Sequence, residues 1–213
     1  MKYKVLIGGG LILIAAALCL TAYNLLDDHR AGLIAQQTLE QMAQAEPNPK
    51  QPKPDDDSAV SAPEPEYILD PEVEMPTVEI DGVEYIGTLE IPALELALPV
   101  ASQWSDASLK LSPCRYTGSA YLNDLIIAGH NYKRHFARLG ELNAGDEILF
   151  TDADDNLFSY QVSELKQLAG AAVEEMQNGD WDLTLFTCTI GGKARVTVRC
   201  VRIDDATKQE VKQ

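Results

Sequence analysis

The chain has 213 residues, 46% of them hydrophobic and 23% charged, which is enough apolar material to bury a core. Its formal charge of −16 argues against a nucleic-acid binder, because neutralising phosphates needs clustered Lys and Arg. Part of that acidity lies in stretches such as Asp55-Asp56-Asp57, which read as solvated rather than folded.

Lys2 and Lys4 precede a run from Val5 to Leu26 that carries no charge; at 22 residues it can cross a bilayer as one helix. Lysines before the run and Asp27-Asp28 after it predict a cytoplasmic N-terminus and an extracellular remainder. Ala15-Ala16-Ala17 could supply a signal-peptide cleavage site, but the apolar run continues through Leu18, Cys19 and Leu20, which favours an uncleaved anchor. From Arg30 to Gln44 the composition is polar and helix-compatible, a continuation of the helix as a stalk. Between Glu46 and Pro76 lie eight of the chain's 11 prolines, which predicts an extended, solvated spacer.

From Val83 short apolar or alternating runs are broken by turn residues. Tyr85 to Val100 reads as two strands around Pro92, and Asp124 to Gly129 as a short buried strand. Asp146 to Thr151 and Asn156 to Leu165 flank an acidic turn, and Leu183 to Thr189 pairs with Arg195 to Ile203. Helix is expected only around Tyr132 to Leu142 and Gly170 to Gln177. This spacing of strands predicts an all-β barrel or sandwich over about Thr77 to Asp205. The acidic turn from Asp152 fails the EF-hand pattern, with Leu157 and Ser163 where Gly and Glu are required, so it reads as a solvated hairpin turn.

Four cysteines occur, at 19, 114, 188 and 200; with Cys19 in the apolar run, an odd number remains for the exported part. An odd cysteine outside the cell suggests a free, reactive thiol. A Cys114–Cys200 disulfide would leave Cys188 as that thiol, but the sequence does not decide the pairing. No Cys/His cluster has zinc spacing, which argues against a structural metal, and no motif calls for a cofactor.

A cysteine attacks as its thiolate and, with an ordinary pKa near ~8.5, needs a base or a cation beside it. His29 abuts the anchor, beyond the spacer. His135, in NYKRHFARL, reads as an exposed helical residue. His130 follows the buried run LIIAG at the mouth of a strand, where an imidazole can face a cleft. Arg195 opens the final strand seven residues after Cys188, across the turn Thr189-Ile190-Gly191-Gly192. That turn can fold guanidinium back to thiol, where it could donate to a developing oxyanion. Arg199 lies on the same face, further along the strand, and is the rival for that role. Singly, Cys188 and His130 would more often be packing residues; together with Arg195 and an export signal they point to nucleophilic catalysis.

These residues resemble a family. Thr184-Leu185-Phe186-Thr187-Cys188 is similar to the T-L-x-T-C motif of sortases, the membrane-anchored cysteine transpeptidases of Gram-positive bacteria. Ile127 to Asn131 resembles their G-H segment, Arg195 takes the place of their strand-borne arginine, and Tyr85 to Val100 resembles their first strands. Gly145-Asp146 matches the family's G-D before a strand, so the resemblance runs from about Tyr85 to Arg202. It implies a sortase-type eight-stranded β-barrel with short helices behind one transmembrane helix, with His130, Cys188 and Arg195 as catalytic residues. It also implies partners: a secreted protein with a C-terminal sorting motif, and an amine acceptor from peptidoglycan precursor or a pilin. G-H-N resembles class B, whereas the compact length and GELNAGDEI resemble class D; no D-P-x-W/F lid motif precedes the domain.

The expected organisation is a cytoplasmic end at 1–4, an anchor at 5–26, stalk and linker at 27–76, the catalytic domain at 77–205 and a tail at 206–213. Two other readings remain open: a catalytically idle, membrane-tethered barrel that binds or scaffolds, and a cysteine hydrolase that releases without transfer.

Overall fold

A computed structural model describes residues 2–45 and 65–203. The expected tail at 206–213 and most of the linker lie outside the described residues. Helix α1 (Lys2–Met42) is continuous across the apolar run and the polar stretch after it. Its most apolar window has a mean hydropathy of 2.0 and no buried residue, long and apolar enough to cross a membrane. The C-terminal half is no free stalk. Ala31, Ala35 and Thr38 are buried at helical spacing against the barrel, so this half of α1 lies along the folded domain.

Among the described residues nine strands follow: β1 (Val78–Ile80), β2 (Val83–Ile91), β3 (Leu96–Ala101), β4 (Cys114–Thr117), β5 (Leu125–Ala128), β6 (Glu147–Asp152), β7 (Leu157–Ala169), β8 (Leu183–Cys188) and β9 (Ala194–Arg202). The order β2-β3-β4-β5-β8-β9-β7-β6 closes through a β2–β6 pairing into an eight-stranded barrel, which removes the open edges. Short β1 pairs only with Val83–Tyr85, beyond the part of β2 that meets β6. Pro92 starts a 3₁₀ turn, Pro92–Leu94, and splits Tyr85 to Val100 into β2 and β3 as the sequence indicates. The weakest seam is β3–β4, a single parallel pair, Ala101 with Cys114. It is reinforced by Ala101 N donating to Pro113 O at 2.9 Å and Arg115 Nε donating to Ser102 O at 3.0 Å.

The barrel interior is filled by alternating strand residues, among them Ile86, Leu89, Ile127, Phe150, Phe158, Tyr160, Leu185 and Val198. Burying each such side chain contributes about 1.5–3 kcal/mol relative to exposure. A second, outer cluster of Ile126, Ala128, Leu168, Met176 and Phe186 lies under α3 (Val173–Gln177).

Three expectations need correcting. The spacer does not run unbroken to Pro76. Helix α2 (Glu66–Leu69) falls within it, Tyr67 stacks on Tyr121 at 4.6 Å, and Met75 is buried, so the folded part begins well before Thr77. Tyr121 precedes β5, so α2 is pinned away from the C-terminal end of that strand. Residues 133–138 form turns rather than a helix. Tyr132 O accepts from both His135 N and Ala137 N, and only Leu139–Glu141 is 3₁₀. Finally, Asp152 is buried rather than solvated. Its carboxylate accepts from Tyr121 Oη at 2.7 Å and from Asp154 N, Asn156 N and Asn156 Nδ2 at 2.9 Å, so it organises the hairpin turn internally.

Candidate active site

Strand direction assembles the site. β5 and β8 are parallel neighbours, with Ala128 opposite Phe186, and Gly129 N continues the ladder by donating to Phe186 O at 3.0 Å. Two residues further along both strands come His130 and Cys188. β9 returns antiparallel, and its pairing with β8 ends on Cys188 opposite Arg195. The C-terminal ends of two strands and the start of a third therefore meet at one end of the barrel.

The turn between Cys188 and Arg195 is built for this return. Gly191 and Gly192 have φ of 85° and 71°, where a Cβ is strained. Thr189 pins the turn. Its N donates to Ala194 O at 2.8 Å, and its Oγ1 bonds with both Ala194 O (3.0 Å) and Ala194 N (3.1 Å).

Cys188 is exposed, and Arg195 Nη1 donates to its Sγ at 2.8 Å. The same guanidinium lies 5.5 Å from the Phe186 ring centroid, a cation–π contact that limits its freedom. Phe186 is two residues before Cys188, on the same strand face, and its role was missed in the sequence. Period-two alternation was the signal that could have found it.

The rival arginine is committed elsewhere. Arg199 is 4% exposed and donates to Met176 O and Thr184 Oγ1 at 2.8 Å and to Glu175 O at 2.6 Å. It ties α3 to β8 instead of facing the thiol. Burial lowers its pKa, opposed by Glu164 and Glu175.

His130 is half-buried, and its Nδ1 is buried without a hydrogen-bond partner. Burial lowers the imidazole pKa; Asp27 of α1 pulls it back up and Lys110 pushes it down further. The ring stacks on Tyr132 at 3.9 Å and 21°. Tyr132 is the second residue missed in the sequence; it becomes visible only once the loop after β5 is seen to turn back.

His135 is not an exposed helical residue. It is fully buried, and neither ring nitrogen has a hydrogen-bond partner. Burial, then His130, pushes its pKa down to about 4, opposed in part by the Ala31 carbonyl and Asp28. His29 is exposed on α1, on a helix that docks beside the site rather than being held away from it. All four cysteines are free. Cys114 and Cys200 are buried in separate clusters, and burial pushes the Cys114 thiol up to about 12 and raises that of Cys200 as well. Among the described residues, no group of three His, Cys, Asp or Glu side chains could hold a metal ion.

A closed eight-stranded barrel with an exposed thiol and a guanidinium paired across adjacent strand ends is the sortase type of fold. Comparison with known proteins agrees. A sequence profile described as "Sortase domain" matches residues 89–203, and the chain belongs to the sortase family. It is 25% identical over 121 residues to sortase A of Bacillus anthracis, covering 54% of this chain and 57% of that relative, so it spans little more than half the relative's length. Among solved structures, sortase C1 of Streptococcus agalactiae superposes with a TM-score of 0.53 at 27% identity, covering 64% of this chain and 75% of the other. A sortase D5 transpeptidase of Clostridium perfringens gives 0.50 at 25% identity, covering 56% and 79%.

Proposed function

We propose that this chain is a membrane-anchored cysteine transpeptidase in which Cys188 is the nucleophile, Arg195 the cationic donor and His130 the proton carrier. The observation that carries the reading is the 2.8 Å contact from Arg195 Nη1 to an exposed Cys188 Sγ. Buried or surface structural arginines find carboxylates or carbonyls; a guanidinium aimed at an open thiol has chemistry to offer instead.

In this reading the substrate is a secreted protein with a C-terminal sorting motif. Neutral His130 takes the Cys188 proton as sulfur attacks the scissile carbonyl carbon, forming the C–S bond and a tetrahedral oxyanion. Arg195 donates to that oxygen. Collapse breaks the C–N bond, and His130 returns its proton to the leaving amine, leaving a thioacyl-enzyme. An acceptor amine, from peptidoglycan precursor or a pilin lysine, attacks the thioester; the new amide forms and Cys188 leaves with its proton restored. The lowered pKa of His130 suits the first step, because the neutral ring predominates at neutral pH. Residues 5–26 act as the membrane anchor, with residues 1–4 cytoplasmic and the barrel extracellular; the rest of α1 docks on the barrel, and the proline-rich stretch after it serves as the linker.

The test uses the full chain in lipid nanodiscs with a library of five-residue sorting peptides, with and without triglycine or hydroxylamine. Expected are a thioacyl adduct on Cys188 by intact mass and diversion of product to a new amide or hydroxamate. Both vanish in Cys188→Ala. Hydrolysis that neither amine diverts would replace transfer by simple release, and full activity in Cys188→Ala would overturn the mechanism.

A further inference from the structure

We infer that the anchor helix is part of the catalytic apparatus: Asp27 of α1 is a positioning residue that, through Tyr132, fixes the plane of the His130 imidazole. The inference rests on the role of His130 proposed above. A histidine that moves protons is ordinarily oriented by an acceptor on its second ring nitrogen. Here Nδ1 is buried with no such partner, so hydrogen bonding at that atom does not set the ring plane. What touches the ring face is Tyr132, stacked at 3.9 Å.

Tyr132 is held at its far end by α1, its hydroxyl donating to Asp27 Oδ2. The next residue of the helix supports the same loop, with Asp28 Oδ1 accepting from Arg134 N at 3.4 Å. One turn on, Gly32 lets the helix close onto the loop. A Cβ built there would lie 2.0 Å from Arg134 Cδ. Ala31 is buried at the same contact. The loop from His130 to His135 is thus clamped between the barrel end and α1. Asp27 is the first charged residue after the apolar run, so the clamp lies where the helix would leave a bilayer.

The charged and titratable groups acting on His130 come from three directions: Asp27 from α1, Lys110 from the segment before β4, and His135 from its own loop. Cys188, the last residue of the neighbouring strand β8, and its partner Arg195 near the start of β9 lie at the same end of the barrel.

The experiment uses the full chain in nanodiscs with selectively labelled histidine. Asp27→Ala and Tyr132→Leu are expected to lower kcat about tenfold with KM within twofold, and Tyr132→Leu to remove the ring-current shift of the His130 ring protons. Asp27→Asn, which keeps an acceptor oxygen, is expected to restore most of kcat. Both Asp27 variants are expected to move the His130 titration midpoint further down, because the one carboxylate raising it is gone. Unchanged kcat and unchanged His130 shifts in Asp27→Ala and Tyr132→Leu would overturn the inference. Failure of the underlying reading looks different: His130→Ala would retain transfer, while the nuclear shifts would still report the clamp.

Discussion

Arg195 Nη1 lies 2.8 Å from Cys188 Sγ because these residues are the last antiparallel partners of the β8–β9 ladder. Four residues on, Arg199 projects from the same side of the same strand and meets wholly different surroundings. It is buried, its donors spent on two carbonyls of α3 and on Thr184. One strand thus presents two arginines, one at the mouth and one sealed beneath α3.

Their substitution phenotypes should separate cleanly. Arg195→Ala is expected to lower kcat by about 10²–10³, the loss that follows removal of one oxyanion donor. Its stability should move by no more than about 1 kcal/mol, because the guanidinium is only half-buried and leaves no buried carbonyl unpaired. Arg199→Met strands the Met176 and Glu175 carbonyls and should destabilise by about 2–4 kcal/mol, with transfer per folded molecule largely kept. Melting curves and transfer assays on both variants check this, and the reverse pattern would reassign the arginine.

Thiol labelling should be equally selective. Cys114 and Cys200 are buried with pKa values raised by desolvation, and Cys19 lies in the apolar part of α1. A charged, membrane-impermeant alkylating reagent at pH 7.5 should therefore modify one residue per chain in nanodiscs, Cys188. Intact mass should show a single adduct that Cys188→Ala abolishes. A second fast adduct would mean that the barrel is open at Cys114 or Cys200.

Most of the barrel was legible in the sequence because its strands obey local rules. Pro92 splits β2 from β3, the run Leu125–Ala128 is apolar throughout, and Gly191-Gly192 turns the last hairpin. The Cys188–Arg195 pairing follows from that hairpin alone. What was not legible depends on long-range packing. Nothing local announces that His135 in NYKRHFARL is buried, because α1, a hundred residues earlier, covers it. The Asp27–Tyr132 contact is hidden for the same reason. A proline-rich stretch can still dock one aromatic, as Tyr67 does on Tyr121.

Acid should weaken the fold through His135. Its folded pKa of about 4 lies below the ordinary 6.5, so the unfolded chain binds the proton more readily. The stability associated with the neutral ring is fully present above pH 6.5 and is lost as pH falls from there through about 4. That shift corresponds to about 3 kcal/mol. His130, lowered in the same direction, adds to the slope. Urea unfolding of the detergent-solubilised chain between pH 7 and pH 4 should show this acid limb, and His135→Leu should flatten it. An equally steep limb in His135→Leu would place the titrating group elsewhere.

Gly129 should be the most sensitive position next to the site, for a steric reason. A Cβ there would fall 2.3 Å from Phe136 Cδ2 and 2.5 Å from Cγ. Phe136 is fully buried and its ring has nowhere to swing. The strain must then pass into residues 129–136, whose loop closes through Phe136 N donating to His130 O at 3.2 Å. Gly129→Ala is therefore expected to destabilise by about 1–3 kcal/mol, as overpacking does. It should also lower kcat, since the displaced segment carries His130. Adding Phe136→Leu makes room for the methyl group, so the double variant should regain part of both losses. Melting temperature and kcat measured across the full double-mutant cycle read the coupling directly. Strict additivity of the two substitutions would show that the Gly129–Phe136 contact does not set the position of the loop.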